Sequence, residues 1–245
     1  GALEFVSYSG LLLALLLLFG SPRLALWAPL PAALWLLYLS LVNLGSPVLL
    51  GYGWEWATLE VGFLCVFLCA EWPTATSLPR LLPPPTPVLW CCRWYLFRLM
   101  LGAGMSKLGD RASACWRELS CTTTHYTTQP MPSPLAWLMD ALPPAAHRAE
   151  TALTLFAQLV LPFALLLPVR TARLAAFWVC LIFELGLLAT GSYAWINWVA
   201  AVPSLVLLDD AALAPLFRRL GPAAAALADE VARADAQASV LGGRP

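Results

Sequence analysis

TALTLFAQLVLPFALLLP (Thr151–Pro168) and ARLAAFWVCLIFELGLLAT (Ala172–Thr190) decide the fold class, because each is an apolar run with the length of a bilayer crossing. A membrane core takes about 20 apolar residues per helix, with a range of roughly 17–25. Five further apolar segments flank the pair: Phe5–Gly20, Leu24–Val42, Ala57–Trp72, Pro87–Leu108 and Tyr193–Leu208. The first, third and last are short enough to be buried or re-entrant pieces, leaving the second, fourth, fifth and sixth as the strong spans. Pro29, Pro31, Pro162 and Pro203 interrupt spans, which membrane helices tolerate when neighbours satisfy the freed backbone groups. No strand alternation is present. The reading is an all-α, polytopic transmembrane helical bundle of about six to seven spans over residues 1–208. A loop over 109–150 and a polar, Ala-rich tail over 209–245 complete it.

Composition agrees. Charged residues are 11% of the 245 and hydrophobic residues 60%, whereas a soluble domain carries roughly 25% charged residues. Lys+Arg and Asp+Glu are both 14, so there is no basic footprint and nucleic acid is excluded as a partner. Gly1 in place of Met predicts a fragment or processed piece. Arg23, Arg80, Arg170 with Arg173, and Arg218 with Arg219 follow alternate segments, while Asn43–Trp56 carries neither Lys nor Arg. The positive-inside rule puts the Arg loops in the cytosol and the 109–150 loop on the far side. Leu78–Pro87 reads as a proline-rich linker, and Ala223–Val240 as an exposed helix ending at Gly242-Gly243.

Ionisable groups inside spans are costly and therefore informative. Glu60, Arg93, Arg98 and Glu184 lie in apolar runs, and Lys107, the one lysine, closes the fourth. They form a candidate intramembrane polar core. In one reading Arg93 and Arg98 pair with Glu60 and Glu184 to fix helix contacts. In the other, a desolvated Lys107 acts as a base. Ala103-Gly104 before it would let another helix approach closely. Of seven cysteines, Cys115 and Cys121 bracket a short stretch of the polar loop, where a disulfide fits an oxidising lumen and thiol exchange is the alternative. His125–Pro134, with alternate prolines at its end, predicts an extended, polyproline-like path that either connects or binds. There is no metal box, nucleophile–His–acid set or phosphate loop, so no metal, no cofactor and no hydrolase or ATPase site is expected.

The loop and its flanks also carry a resemblance. Arg93-Trp94-Tyr95-Leu96-Phe97-Arg98 through Lys107-Leu108, Cys115-Trp116-Arg117-Glu118-Leu119-Ser120-Cys121, and His125-Tyr126-Thr127-Thr128-Gln129-Pro130 are similar to motifs of the lipase maturation factor family. Gly53-Trp54-Glu55 and Leu59-Glu60 precede the block, while Asn197-Trp198 and Asp209-Asp210 follow it, colinear from about Trp54 to Leu213. Thr127 stands where the family usually has Glu, and Ser192 where it has Asn. The resemblance implies a multi-pass endoplasmic reticulum membrane protein, a chaperone-like helper that lets secreted lipases assemble. It also implies a large lumenal C-terminal region after the spans, absent from these 245 residues. On that footing Cys115, Trp116, Cys121, His125, Tyr126 and Gln129 are the expected client-binding residues, with lipase clients and membrane lipid as partners. A shorter likeness, Ala103-Gly104-Met105-Ser106-Lys107-Leu108, is to the membrane domain of vitamin K-dependent gamma-carboxylase, where the matching lysine serves as a base. It supports the alternative of a membrane enzyme using Lys107 on a lipophilic substrate or cofactor. A transporter would show two matching broken-helix halves, and none is evident.

Overall fold

The computed structural model describes residues 1–20, 24, 27–69, 84–109, 112–129, 132–191 and 195–240. Most of the Leu78–Pro87 linker, Arg23, Arg80, Ser192 and Gly242-Gly243 lie outside them. Regular structure among the described residues is helical. The N-terminal part comprises α1 (Ala2–Phe19), α2 (Pro29–Leu44), the single turn α3 (Pro47–Leu50), α4 (Gly53–Leu68) and α5 (Thr86–Leu108). The 109–150 loop carries a 3₁₀ turn (Ala114–Trp116), α6 (Thr122–His125) and α7 (Pro134–Asp140). Then come α8 (Pro144–Leu159), α9 (Leu161–Leu166), α10 (Arg170–Thr190), α11 (Ile196–Ala201), a second 3₁₀ helix (Pro203–Leu207), α12 (Asp210–Leu220) and α13 (Pro222–Val240).

Prolines set several of these boundaries. Pro29 opens α2 at the first helical position, where its missing N–H costs nothing. Pro162 cannot donate to the Gln158 carbonyl, and the chain breaks between α8 and α9 at Val160. Pro203 likewise replaces α11 by 3₁₀ geometry.

Among the described residues, three helices are long and apolar enough to cross a membrane: α1, α8 with α9 (Pro144–Leu166), and α10. A fourth is reached by counting Ile196–Leu207 with α12, a pair bent by 105°. This all-α membrane architecture differs from the strong-span assignment at three points. The first segment, read as short, is an 18-residue helix that meets the length. The second is cut to 16 residues by its start at Pro29. The fourth is 23 residues long as α5 but carries Arg93, Arg98 and Lys107.

The core forms where α5 packs against α4, α8, α9 and the second 3₁₀ helix. Tyr95, Leu96, Leu165, Ala176, Phe177, Cys180 and Leu207 are buried there, and the Tyr95 hydroxyl donates to the Val199 carbonyl at 3.2 Å. By contrast α1 buries nothing, with Phe5 and Phe19 72% and 78% exposed, as suits a helix facing lipid tails.

The molecule has two distinct ends. At one, Asp209 accepts hydrogen bonds from Arg170 (2.6 and 3.0 Å) and Arg173 (2.9 Å) and caps α12 through the Ala212 N–H at 2.9 Å. Arg170 above all, by those bonds, holds the Asp209 carboxyl below the usual carboxylate range. At the other end, the Ser133 hydroxyl donates to the Ala189 carbonyl near the C-terminus of α10 at 2.8 Å, seating the 109–150 loop on the bundle.

Candidate functional site

Under that loop is a cavity of about 570 Å³. Helical spacing builds its walls. Leu99, Met100, Ala103 and Lys107 form one face of α5; Glu150, Thr154 and Gln158, each four apart, form one face of α8; Phe183, Glu184, Leu187 and Thr190 come from α10; and Ile196, Asn197 and Ala200 from α11. Gly104 lets α5 and α8 meet closely, since a Cβ there would lie 2.8 Å from Leu159 Cδ2 and 3.0 Å from the Gln158 carbonyl carbon. The small-residue pair read in the sequence marks this contact. The roof is Trp116, Cys121, Thr122, Thr124, His125, Tyr126 and Thr128.

The roof is pinned in two ways. Cys115 and Cys121 are joined in a disulfide, with Cα atoms 4.7 Å apart. Beside it, the buried Thr122 hydroxyl donates to the His147 carbonyl at 2.7 Å and lies 3.0 Å from the Thr151 hydroxyl. Buried polar groups at this density fix one geometry, because each must be satisfied there.

The polar lining is incompletely paired. Asn197 Nδ2 donates to Glu184 Oε2 at 2.8 Å, and His147 Nδ1 lies 3.1 Å from Glu150 Oε2. Asn197 Oδ1, Gln158 Oε1 and Glu150 Oε1 are buried with no hydrogen-bond partner among the described residues. Asn197 and Gln158 are 2% and 7% exposed. Lys107 Nζ donates to the Ala103 carbonyl at 3.2 Å and sits 5.1 Å from the Trp116 ring centre. No carboxylate among the described residues lies within 4.0 Å of it; Asp110 is outside those residues.

The remaining residues expected from sequence are placed as follows. Arg98 pairs with Glu60, but both are well exposed, at 55% and 40%, and neither lines the cavity. Arg93 stacks over Trp90 at 4.8 Å, in electrostatic reach of Arg173 at the far end. Glu184 takes Asn197 as its partner, not an arginine. So of the five intramembrane charges, Lys107 and Glu184 meet at the cavity. Of the loop residues, Trp116, Cys121, His125 and Tyr126 line it. Cys121 and Tyr126 are buried, so the exposed side chains of the 121–128 stretch are Thr123, Thr124, Thr127 and Thr128. Gln129 Nε2 lies 3.2 Å from His125 Nε2, and burial holds the His125 imidazole below its ordinary range. His125 closes α6, and Thr128 N–H donates to the Thr124 carbonyl at 3.2 Å, so the run is wound up to there and not extended. Proline restricts only the residue before it, and the first proline stands at 130. Among the described residues no group of His, Cys, Asp and Glu is placed to hold a metal ion.

Glu150, Gln158 and Asn197 escaped the sequence reading as site residues. The i, i+4, i+8 spacing of Glu150, Thr154 and Gln158 along one face of α8 was the available signal.

Residues 1–215 match the family model of the lipase maturation factor transmembrane domain. The chain belongs to the lipase maturation factor family. It is 44% identical to lipase maturation factor 1 of Bos taurus over 76% of the chain and 32% of that protein. Against lipase maturation factor 1 of Homo sapiens it is 44% identical over 87% of the chain and 36% of the relative. For lipase maturation factor 2 of Homo sapiens the values are 36% identity, 86% and 30%. The chain thus spans about a third of the length of these relatives. No solved structure matches it. The family domain contains every residue that lines the cavity, while α13 falls beyond it.

Proposed function

We propose that this chain is the membrane domain of a lipase maturation factor of the endoplasmic reticulum. It would present its 109–150 loop to secreted lipases as they fold and assemble. The observation that carries the proposal is the family match over residues 1–215, which takes in the pinned loop. The apolar segments α1, α2, α4, α5, α8 with α9, α10 and α11 with the second 3₁₀ helix would supply the anchor. With the Arg170 and Arg173 end in the cytosol, the loop lies in the lumen, where a disulfide persists. Its exposed threonines then offer hydroxyls and backbone to a client, while Trp116, Cys121, His125 and Tyr126 hold its shape.

A second reading, a membrane enzyme with Lys107 as base, is favoured by one observation: Lys107 faces the cavity with no described carboxylate beside it. A base must be neutral for part of its cycle, and arginine, with a pKa above about 12, cannot be. In cells lacking their own maturation factors, the protein carrying this chain is expected to raise the active fraction of a secreted lipase. Lys107→Arg should keep that gain. A normally abundant Lys107→Arg protein with no gain would put the enzyme first.

A further inference from the structure

The polar groups of the cavity are a mixture that its own residues do not satisfy. One side offers a cation, Lys107 Nζ, whose described partners are a backbone carbonyl and an aromatic face. Elsewhere on the lining are acceptors: Glu150 Oε1, Gln158 Oε1 and Asn197 Oδ1, all buried and unpartnered among the described residues. The Asn197 amide is oriented by its donation to Glu184, which leaves its oxygen as the free acceptor. An unmade hydrogen bond on a buried group costs about 1–3 kcal/mol, so three on one cavity call for a ligand that donates.

The occupant therefore needs an anionic group for Lys107 and, at its other end, N–H or O–H donors carrying positive charge for Glu150. Leu99, Met100, Phe183, Leu187 and Ile196 make the remaining wall apolar, so it also needs a hydrocarbon part. The volume falls within the roughly 300–1,000 Å³ of small-ligand pockets.

We infer that the cavity is a binding site for an ethanolamine phospholipid, its phosphate at Lys107 and its ammonium at Glu150. A choline head carries the charge but no N–H donor and leaves Glu150 Oε1 unmatched. A serine head brings a further carboxylate towards Glu150 and Glu184. Glycerol and inositol heads donate but carry no cation. The inference rests on the cavity residues alone and stands apart from the lipase reading.

The test uses the whole chain in phosphatidylcholine nanodiscs with a lysophosphatidylethanolamine probe bearing a tail diazirine. After irradiation, labelled peptides are mapped by mass spectrometry. Labelling is expected on α5 or α10 cavity residues, with unlabelled lysophosphatidylethanolamine competing about tenfold better than the choline or serine lysolipid. Glu150→Leu and Lys107→Met should each weaken labelling by a similar factor. The head-group comparison on the unaltered chain decides the matter even if a variant fails to fold. Equal competition by the choline lysolipid, or labelling confined to the outer face of α1, would overturn the assignment. Equal competition by free phosphoethanolamine would also overturn it, in favour of a water-soluble ligand.

Discussion

Thr122 does more at the roof than its composition class suggests, because its hydroxyl joins the His147 carbonyl to the Thr151 hydroxyl inside a buried contact. Thr122→Val keeps the shape and deletes the bonds, so a loss of about 1–3 kcal/mol is expected. A lowered midpoint in thermal unfolding in detergent would register it, and an unchanged midpoint would mean that the loop is not held there. His125 gives a pH dependence. Burial lowers its folded-state pKa from 6.5, so the unfolded chain binds the extra proton first as pH falls. Stability is retained above the unfolded value and is lost progressively as pH drops from about 6.5 through the folded pKa. Unfolding midpoints measured between pH 7.5 and 5 should fall, and His125→Gln should flatten that slope.

Where helices meet, the close approach of α5 and α8 rests on Gly104. Gly104→Val places two methyl groups where even a Cβ would sit 2.8 Å from Leu159. Overpacking of this kind costs about 1–3 kcal/mol and would part the two faces that carry Lys107 and Gln158. The expected readout is a lower midpoint together with loss of a cross-link between cysteines placed at Ala103 and Gln158. Apolar run length was enough to find α10 and the paired α8 and α9, since both run on apolar side chains with few charges. It put α1 among the short segments and α2 among the strong ones, whereas the helices are 18 and 16 residues long, because run length does not show where Pro29 starts a helix. For the site, Lys107 and Glu184 stood out because a charge in an apolar run is rare. Gln158 and Asn197 did not, since a neutral amide in a span gives no such contrast, and only packing shows that its oxygen lacks a partner.

On the scale of the whole chain, a cationic end held by Asp209 and a disulfide-closed loop end face opposite ways along α5 and α10. Under the proposed function, that polarity would let a membrane anchor present a folded loop to one compartment. The most direct measurement places a photo-cross-linking amino acid at Thr128 in the loop or, separately, at Arg219 at the other end, in cells that secrete a lipase. Both side chains are exposed, so neither substitution disturbs the core. The expected result is a covalent adduct with the newly made lipase from Thr128 and none from Arg219. A lipase adduct from Arg219 alone, or none from either position while the protein is abundant and inserted, would contradict the loop-presenting role.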